Sequence, residues 1–294
     1  MQISVIGAGQ MGGGIAQVFA AAGHPVSLVD VSQEALYRGL GAIGNSLDRI
    51  VRKERITAAD RDAALGRITP HTDLATGVAD ADLVIEAATE NVGLKERIFA
   101  DLDRHAPPTA ILATNTSSIS ITRIAAVTRR PELVIGMHFM NPVPVMKLVE
   151  VIRGYATSDA TTQTVMDLSR ALGKTPTEVN DYPGFVANRI LMPMINEAIT
   201  TLFEGVAGVA EIDTVMKLGM AHPMGPLQLA DYIGLDTCLA ILRVMQEGFG
   251  RAHFQPCPLL VNMVTAGKLG RKSGEGFYDY AGGGKELVVS AAFT

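Results

Sequence analysis

Residues 3–12 read ISVIGAGQMG, a short apolar run that leads directly into closely spaced glycines. The apolar run has the length of a buried strand, and apolar side chains then recur at helical spacing from Met11 to Ala22. Gly23 is a typical helix stop, and residues 26–29 form a second apolar run that ends at Asp30. The order strand, helix, strand predicts a βαβ unit and therefore a parallel sheet.

The glycines of this stretch have the spacing G-x-G-x-x-G, which within a βαβ unit indicates a dinucleotide-binding turn. Gly7 permits the tight turn, Gly9 lets a pyrophosphate approach the backbone, and Gly12 allows the helix to pack closely on the strand. The free N–H groups at the start of the helix, around Gln10 and Met11, attract the phosphates. The sequence therefore predicts that these residues bind a dinucleotide cofactor.

Asp30 ends the second strand, where a carboxylate accepts hydrogen bonds from ribose hydroxyls of the dinucleotide. Its negative charge repels a 2′-phosphate, so the sequence favours NAD over NADP. The alternatives are a glycine turn with a purely structural role and a solvated carboxylate at a strand end.

Beyond this unit, strand-like and helix-like segments continue to alternate up to about residue 180. A long amphipathic helix is predicted over residues 36–51, and further strands at residues 83–87, 110–113, 133–138 and 147–151. Pro183 and Gly184 interrupt this alternation, and the later apolar spacing is helical. We predict an α/β protein with an N-terminal Rossmann-type doubly wound sheet (residues 1–183) and a C-terminal all-helical domain (residues 184–294).

The composition restricts the classes of function. The formal net charge is −5, with 48% hydrophobic and 19% charged residues, which suits a folded core and offers no broad basic surface to nucleic acid. The two cysteines, Cys238 and Cys257, have no metal-site spacing and form no disulfide framework. A basic leader and a membrane-spanning apolar run are both missing from the sequence. We therefore expect a cytoplasmic protein without a metal, a membrane or a nucleic-acid partner.

Oxidation of an alcohol by a dinucleotide requires a base for the hydroxyl proton, and histidine suits this role because it titrates near neutrality. His138 ends a predicted strand, at the edge of a parallel sheet where ligands bind. Glu150 lies in the next apolar run, where a carboxylate is costly unless it is paired. The two residues are candidates for a catalytic pair. Their spacing leaves equally open a core histidine and an edge-strand glutamate.

Residues 137–150 read MHFMNPVPVMKLVE and resemble the signature of L-3-hydroxyacyl-CoA dehydrogenases, nearest to the bacterial 3-hydroxybutyryl-CoA dehydrogenase type. Further segments agree in the same order along the chain: residues 7–12, 115–118, 181–189, 222–226 and 274–278. Three features depart from the family pattern. They are a less polar link at residues 205–210, Gln228 in place of an acidic residue, and the tail after Tyr280, which includes Gly282, Gly283 and Gly284.

The resemblance implies that His138 is the general base in oxidation and the general acid in reduction, while Glu150 orients the imidazole and balances its charge. It implies that Ser117 and Asn188 hydrogen-bond the substrate oxygens near the reacting carbon. Other positions match contacts to the dinucleotide, namely Glu90, Lys95, Ser117, Asn141 and Lys272. Two more match contacts to the pantetheine and nucleotide parts of the thioester, namely Ser46 and Lys53.

Each of these matches has a simpler explanation. In these explanations, Ser117 only caps a helix and Asn188 is only a polar residue on a helix face. Glu90 and Lys95 are then solvated charges without a ligand. The basic cluster at the end of the long helix either meets phosphates or is an ordinary solvated face; it consists of Arg49, Arg52 and Lys53.

The resemblance therefore implies NAD-dependent oxidation of a short L-3-hydroxyacyl-CoA to the 3-oxoacyl-CoA, or the reverse reduction. Three different functions stay open. The same chemistry could act on a thioester of an acyl carrier protein, the substrate could be a free hydroxy acid, or the protein could bind a dinucleotide without catalysis. The resemblance also implies a homodimer formed through the helical domain.

Overall fold

The computed structural model describes residues 1–282 and 287–294, so Gly283 and Gly284 of the tail lie outside the described residues. The chain divides into two compact units, Met1–Tyr182 and Pro183–Thr294. Among the described residues, none of the helices combines the length and the apolar character that crossing a bilayer requires.

The first unit is built on one eight-stranded sheet with the spatial order β3-β2-β1-β4-β5-β6-β7-β8. All neighbouring strands are parallel except β6 and β7, which are antiparallel. The strand order reverses at β1, which lies between β2 and β4. The strands are β1 (Ile3–Ile6), β2 (Val26–Val29), β3 (Ile68–His71), β4 (Leu83–Glu86), β5 (Ile111–Thr114), β6 (Val134–Phe139), β7 (Leu148–Arg153) and β8 (Thr175–Asn180). The predicted doubly wound sheet is confirmed.

Helices connect the parallel strands of this unit, and nearly all of them begin at a residue whose side chain accepts a hydrogen bond from the helix backbone. The helices are α1 (Gln10–Ala21), α2 (Gln33–Arg52), α3 (Ala58–Gly66), α4 (Leu74–Val78), α5 (Val92–His105), α6 (Ile121–Ala125) and α7 (Asp159–Ala171). The capping residues of α2 to α7 are Ser32, Thr57, Asp73, Asn91, Ser120 and Ser158. Helix α1 begins instead after Gly9, which offers no side chain. Its first N–H groups are therefore available to a ligand.

The burial of each strand in the first unit explains which strands could be predicted from the sequence. Strands β1, β2, β4 and β5 are buried along their whole length, and they pack against apolar side chains of α1 and α2 such as Ile15, Phe19 and Ile43. The strands β3 and β8 are the edges of the sheet, and most of their residues are at least partly exposed. Because the edges need little apolar material, neither strand was predicted from the sequence.

The second unit is helical, as predicted, and has its own apolar core. Its helices are α8 (Ala187–Phe203), α9 (Val209–Thr214), α10 (Pro226–Ile233), α11 (Leu235–Phe249) and α12 (Pro258–Thr265). It also contains a short antiparallel pair of strands that the sequence did not indicate, β9 (Tyr278–Asp279) and β10 (Val288–Val289).

The structure of the second unit is compatible with two of the departures from the family pattern. The link at residues 205–210 includes Val209, which is buried in the core, so an apolar residue suits this place. The backbone N–H of Gln228 donates to Asp213, which also accepts from Leu227 and from the Tyr278 hydroxyl. Asp213 thus caps α10, and the side chain at residue 228 is not needed for that purpose.

Candidate active site

A cavity of about 790 Å³ opens in the first unit at the carboxyl ends of β1 and β2. It is lined by the glycine turn, by Asp30, by residues 87–89 after β4, by residues 141–144 after β6, and by one face of α2. This is the point where the strand order reverses, which is where open α/β sheets bind their ligands.

The glycine turn is shaped to admit a ligand close to its backbone. Gly7 has φ +103°, and a Cβ added there would lie 2.8 Å from the carbonyl oxygen of Ala87. A Cβ at Gly12 would lie 1.8 Å from the carbonyl oxygen of Gly7, so α1 can pack this close to the turn only with glycine. A Cβ at Gly9 would meet nothing within 4 Å. Gly9 is also the residue at the uncapped start of α1, and the residues present therefore fit a dinucleotide pyrophosphate.

Asp30 is held rigidly beside this turn. One carboxylate oxygen accepts from the backbone N–H of Ala8 at 2.9 Å, and the other accepts from the backbone N–H of Ser32 at 3.0 Å. Each carboxylate oxygen has a further lone pair. Since Asp30 also lines the cavity, it is positioned to accept hydrogen bonds from ribose hydroxyls.

His138 and Glu150 form a buried pair across two strands. They are directly opposite each other in the antiparallel register of β6 and β7, and His138 Nδ1 lies 2.9 Å from Glu150 Oε2. Strand β8 lies outside β7, so the alternative of an edge-strand glutamate is wrong. The contact engages Nδ1 and thereby fixes the orientation of the imidazole ring.

The loop that follows His138 is fixed to the cavity wall. Asn141 accepts a hydrogen bond from the side chain of Gln10 at 3.1 Å, which links the loop to the glycine turn. Lys174 Nζ donates to the carbonyl oxygens of Val143 at 2.5 Å and Met146 at 2.8 Å, and burial lowers the pKa of Lys174. Asn115, which was not predicted as a site residue, accepts from the backbone N–H of Phe139 at 2.8 Å.

Ser117 lies in a loop that is gathered around Glu90. Glu90 Oε1 accepts from the hydroxyls of Thr116 at 2.6 Å and Ser118 at 3.1 Å, and from the backbone N–H of Ser117 at 3.0 Å. Burial by itself would raise the pKa of Glu90, but Lys95 and these hydrogen bonds outweigh it and hold that pKa below its ordinary value. The helix cap in this region is Ser120, so Ser117 does not cap α6.

Lys95 is a buried charge that lies between two carboxylates. Its side chain is 1% exposed, and Nζ lies 2.6 Å from Glu86 Oε1 and 3.4 Å from Glu90 Oε2. The alternative of a solvated charge is therefore wrong for Lys95. Glu86 is a further residue that was not predicted from the sequence. The available signal was the one used for Glu150, namely a carboxylate in an otherwise apolar strand.

The structure places the residues that the resemblance assigns to the thioester, and those that lie in the second unit, as follows. Ser46 and Arg49 line the cavity from α2, whereas Lys53 is exposed at the end of that helix. Asn188 lies in the first turn of α8 and is buried, and Lys272 forms an ion pair with Asp236. The roles of all these residues stay predictions.

The reversal of strand order at β1, the uncapped helix and the fixed aspartate together define a dinucleotide-binding protein with a separate helical domain. Family models agree with this class. The model described as "3-hydroxyacyl-CoA dehydrogenase, NAD binding domain" matches residues 2–182, and the model described as "3-hydroxyacyl-CoA dehydrogenase, C-terminal domain" matches residues 184–280.

Individual relatives lead to the same family. The chain is 57% identical to a probable 3-hydroxybutyryl-CoA dehydrogenase of Bacillus subtilis, over 95% of this chain and 97% of the relative. It is 54% identical to a 3-hydroxybutyryl-CoA dehydrogenase of Bradyrhizobium diazoefficiens, over 96% of both chains. The crystal structure of (S)-3-hydroxybutyryl-CoA dehydrogenase from Ralstonia eutropha matches with a TM-score of 0.92 and 52% identity, over 95% of this chain and 98% of that one.

The chain belongs to the 3-hydroxyacyl-CoA dehydrogenase family. It is therefore an NAD-dependent oxidoreductase, and the predicted family, enzyme class and cofactor are confirmed.

Proposed function

We propose that the chain interconverts a short L-3-hydroxyacyl-CoA, such as 3-hydroxybutyryl-CoA, and the corresponding 3-oxoacyl-CoA. The observation that carries this proposal is the contact of 2.9 Å between His138 and Glu150, on the strand that leads into Asn141 at the cavity wall. The names of the relatives support the choice of substrate, because these relatives match nearly the whole chain at more than half identity.

The proposed chemistry assigns one task to each residue of the pair. NAD, when bound, supplies the acceptor for the hydride that leaves carbon 3 of the substrate. His138 takes the hydroxyl proton at Nε2, and Glu150 holds Nδ1 and balances the positive charge that the ring acquires. In reduction, His138 returns the proton to the new alkoxide. Ser117 and Asn188 donate hydrogen bonds to the substrate oxygens in this proposal.

For the rest of the substrate we propose the exposed end of α2. Ser46 and Arg49 line the cavity one helical turn apart, and Lys53 lies one further turn along. A hydroxyl followed by two cations suits a pantetheine chain that ends in phosphates. Among the remaining roles taken from the family resemblance, we propose that Glu90, Asn141 and Lys272 bind the dinucleotide.

The test of the substrate class is the oxidation of NADH in the presence of acetoacetyl-CoA, with longer 3-oxoacyl-CoA esters for comparison. We expect turnover that is fastest with a short chain. Turnover of a carrier-protein thioester without turnover of the CoA ester would select the carrier-protein substrate, and turnover of free acids alone would select the hydroxy acid substrate. NADH binding without any turnover would show a non-catalytic protein.

Replacing Asp30 with serine tests the choice of cofactor. The variant loses charged hydrogen bonds to the ribose and the repulsion of a 2′-phosphate, so we expect NADH to bind about ten- to a hundredfold more weakly, with a smaller loss for NADPH. The measurement is a fluorescence titration with each cofactor. Asp80→Ser is the control, because it removes an exposed carboxylate that does not line the cavity. Equal losses for both cofactors would contradict the assigned role.

We also propose that the protein works as a homodimer in the cytoplasm. The helical unit leaves several large apolar side chains exposed, including Val206, Val215, Leu218 and Met220. Such side chains favour a partner surface on a second copy. Sedimentation of the purified protein distinguishes a dimer from a monomer, and Leu218→Glu is expected to shift a dimer towards monomers.

A further inference from the structure

Three charged side chains form a network of ion pairs that extends from the interior of the sheet to the Ser117 loop. Glu86, at the end of β4, is 0% exposed and Lys95 is 1% exposed, while Glu90 is 39% exposed. Lys95 Nζ contacts both carboxylates and also donates to the carbonyl oxygen of Ala88 at 3.3 Å. The network thus connects a fully buried charge with a partly exposed one.

The buried carboxylate of Glu86 accepts hydrogen bonds from three groups of the protein. Apart from Lys95, it accepts from the backbone N–H of Ala88 at 2.7 Å and from the Thr114 hydroxyl at 2.7 Å. Thr114 in turn accepts from the backbone N–H of Thr116 at 3.2 Å, which connects the network to the Ser117 loop a second time. The two carboxylates therefore hold this loop through two separate routes.

The burial of Lys95 limits what it can do. Its ammonium group has three donors, and three acceptors of the protein surround it: Glu86, Glu90 and the Ala88 carbonyl. A cation in this state acts on the Ser117 loop mainly through Glu90, which accepts the hydrogen bonds of that loop.

We propose that Lys95, held in place by Glu86, is a positioning residue that keeps Glu90 ionised and thereby fixes the loop that carries Ser117. This inference rests on the proposed function only where it uses Ser117 as a substrate contact. Glu90 is the acceptor in its hydrogen bonds with Thr116, Ser117 and Ser118, and a protonated carboxyl has less capacity to accept them. The loop therefore keeps its shape above the pKa of Glu90 and loses it as the pH falls through that pKa.

The charged groups around Glu90 determine how each variant acts. Lys95 faces Glu90 from α5 and Glu86 lies behind Lys95 on β4, while Glu96 of α5 and Arg123 of α6 pair with each other at 2.7 Å. Removing the charge of Lys95 removes the largest of the effects that oppose the burial of Glu90, and the pKa of Glu90 rises. Removing the charge of Glu86 leaves Lys95 with Glu90 as its remaining carboxylate, and the pKa of Glu90 does not rise.

The experiment compares Lys95→Met with Glu86→Gln in the reduction of acetoacetyl-CoA and in the binding of NADH between about pH 6 and about pH 8. For K95M we expect the ratio of kcat/KM at about pH 6 to that at about pH 8 to be about tenfold lower than for the unchanged protein. For E86Q we expect the same ratio to stay within about twofold. We expect Lys95→Arg, which keeps the charge, to restore most of the loss at low pH.

Two controls separate this role from general destabilisation. Asp103→Asn breaks another buried ion pair of the first unit, with Arg130, and is expected to lower thermal stability without changing the pH ratio. Ser118→Ala removes one hydrogen bond to Glu90 at little risk to folding, and it is expected to act in the direction of K95M but more weakly. Ser118→Ala therefore decides the question if K95M does not fold.

A pH ratio that changes equally in K95M and E86Q, or in neither K95M nor Ser118→Ala, would overturn the inference while leaving the proposed function intact. Absence of turnover by the unchanged protein would overturn the proposed function instead. The pH dependence of NADH binding in the same variants would then still distinguish the positioning role of Lys95 from a contribution to stability alone.

Discussion

His138→Gln lowers kcat for acetoacetyl-CoA reduction by about a hundred- to ten-thousandfold, the usual contribution of general acid–base catalysis. The affinity for NADH stays nearly unchanged, because the glycine turn and Asp30 are intact. Glutamine is close to histidine in size and retains a donor towards Glu150, so the fold is preserved. Steady-state kinetics measure the loss, and we expect kcat and kcat/KM to fall together.

Two variants make this result specific to the pair. Glu150→Gln keeps the shape of the buried contact but removes its charge, and we expect a loss of at least about tenfold in kcat, because the imidazole is no longer oriented and balanced. His105→Gln changes an exposed histidine at the end of α5 and is expected to have no effect. A fully active His138→Gln would show that another group supplies the proton.

Gly12→Ala is expected to disable the cofactor site and destabilise the first unit. The added methyl would lie 1.8 Å from the carbonyl oxygen of Gly7, which is backbone and cannot rotate away. Helix α1 must therefore shift away from the turn, which lowers the free energy of unfolding by about 1–3 kcal/mol or more. We expect NADH to bind at least about a hundredfold more weakly, since the turn and the helix start both shift. Denaturant unfolding and a fluorescence titration measure the two effects.

The neighbouring glycine supplies the matched control for this prediction. A Cβ at Gly13 would meet only Ile43, at an ordinary 3.8 Å, so Gly13→Ala is expected to gain about 0.5–1 kcal/mol of stability as a helical alanine. If Gly12→Ala and Gly13→Ala behaved alike, close packing at the glycine turn would not be the reason for glycine at position 12.

The sequence predicted those parts of the fold and site that depend on local pattern. Strands buried on both faces, such as β1 and β4, consist of apolar residues and are visible as short apolar runs. The glycine spacing indicated a dinucleotide turn because the local backbone leaves no space for a Cβ atom, as at Gly7 and Gly12. A carboxylate within an apolar strand indicated that Glu150 needs a partner.

The remaining features depend on contacts between distant segments. The antiparallel pairing of β6 with β7 brings His138 opposite Glu150, and nothing in the local sequence states that register. Lys95 lies in the first turn of a helix, where a lysine is usually solvated, and only the position of Glu86 on β4 explains its burial. The edge strand β8 has the polar sequence of a loop, and it forms a strand because β7 offers it a partner.

Direct transfer of hydrogen between NAD and carbon 3 of an acyl thioester is the step on which the proposed function depends. The most direct test uses acetoacetyl-CoA and NADH that carries deuterium at both positions of carbon 4, with the product examined by mass spectrometry. We predict 3-hydroxybutyryl-CoA with one deuterium at carbon 3. A hydroxyacyl product without deuterium, or NADH that is consumed without forming this product, would contradict direct transfer.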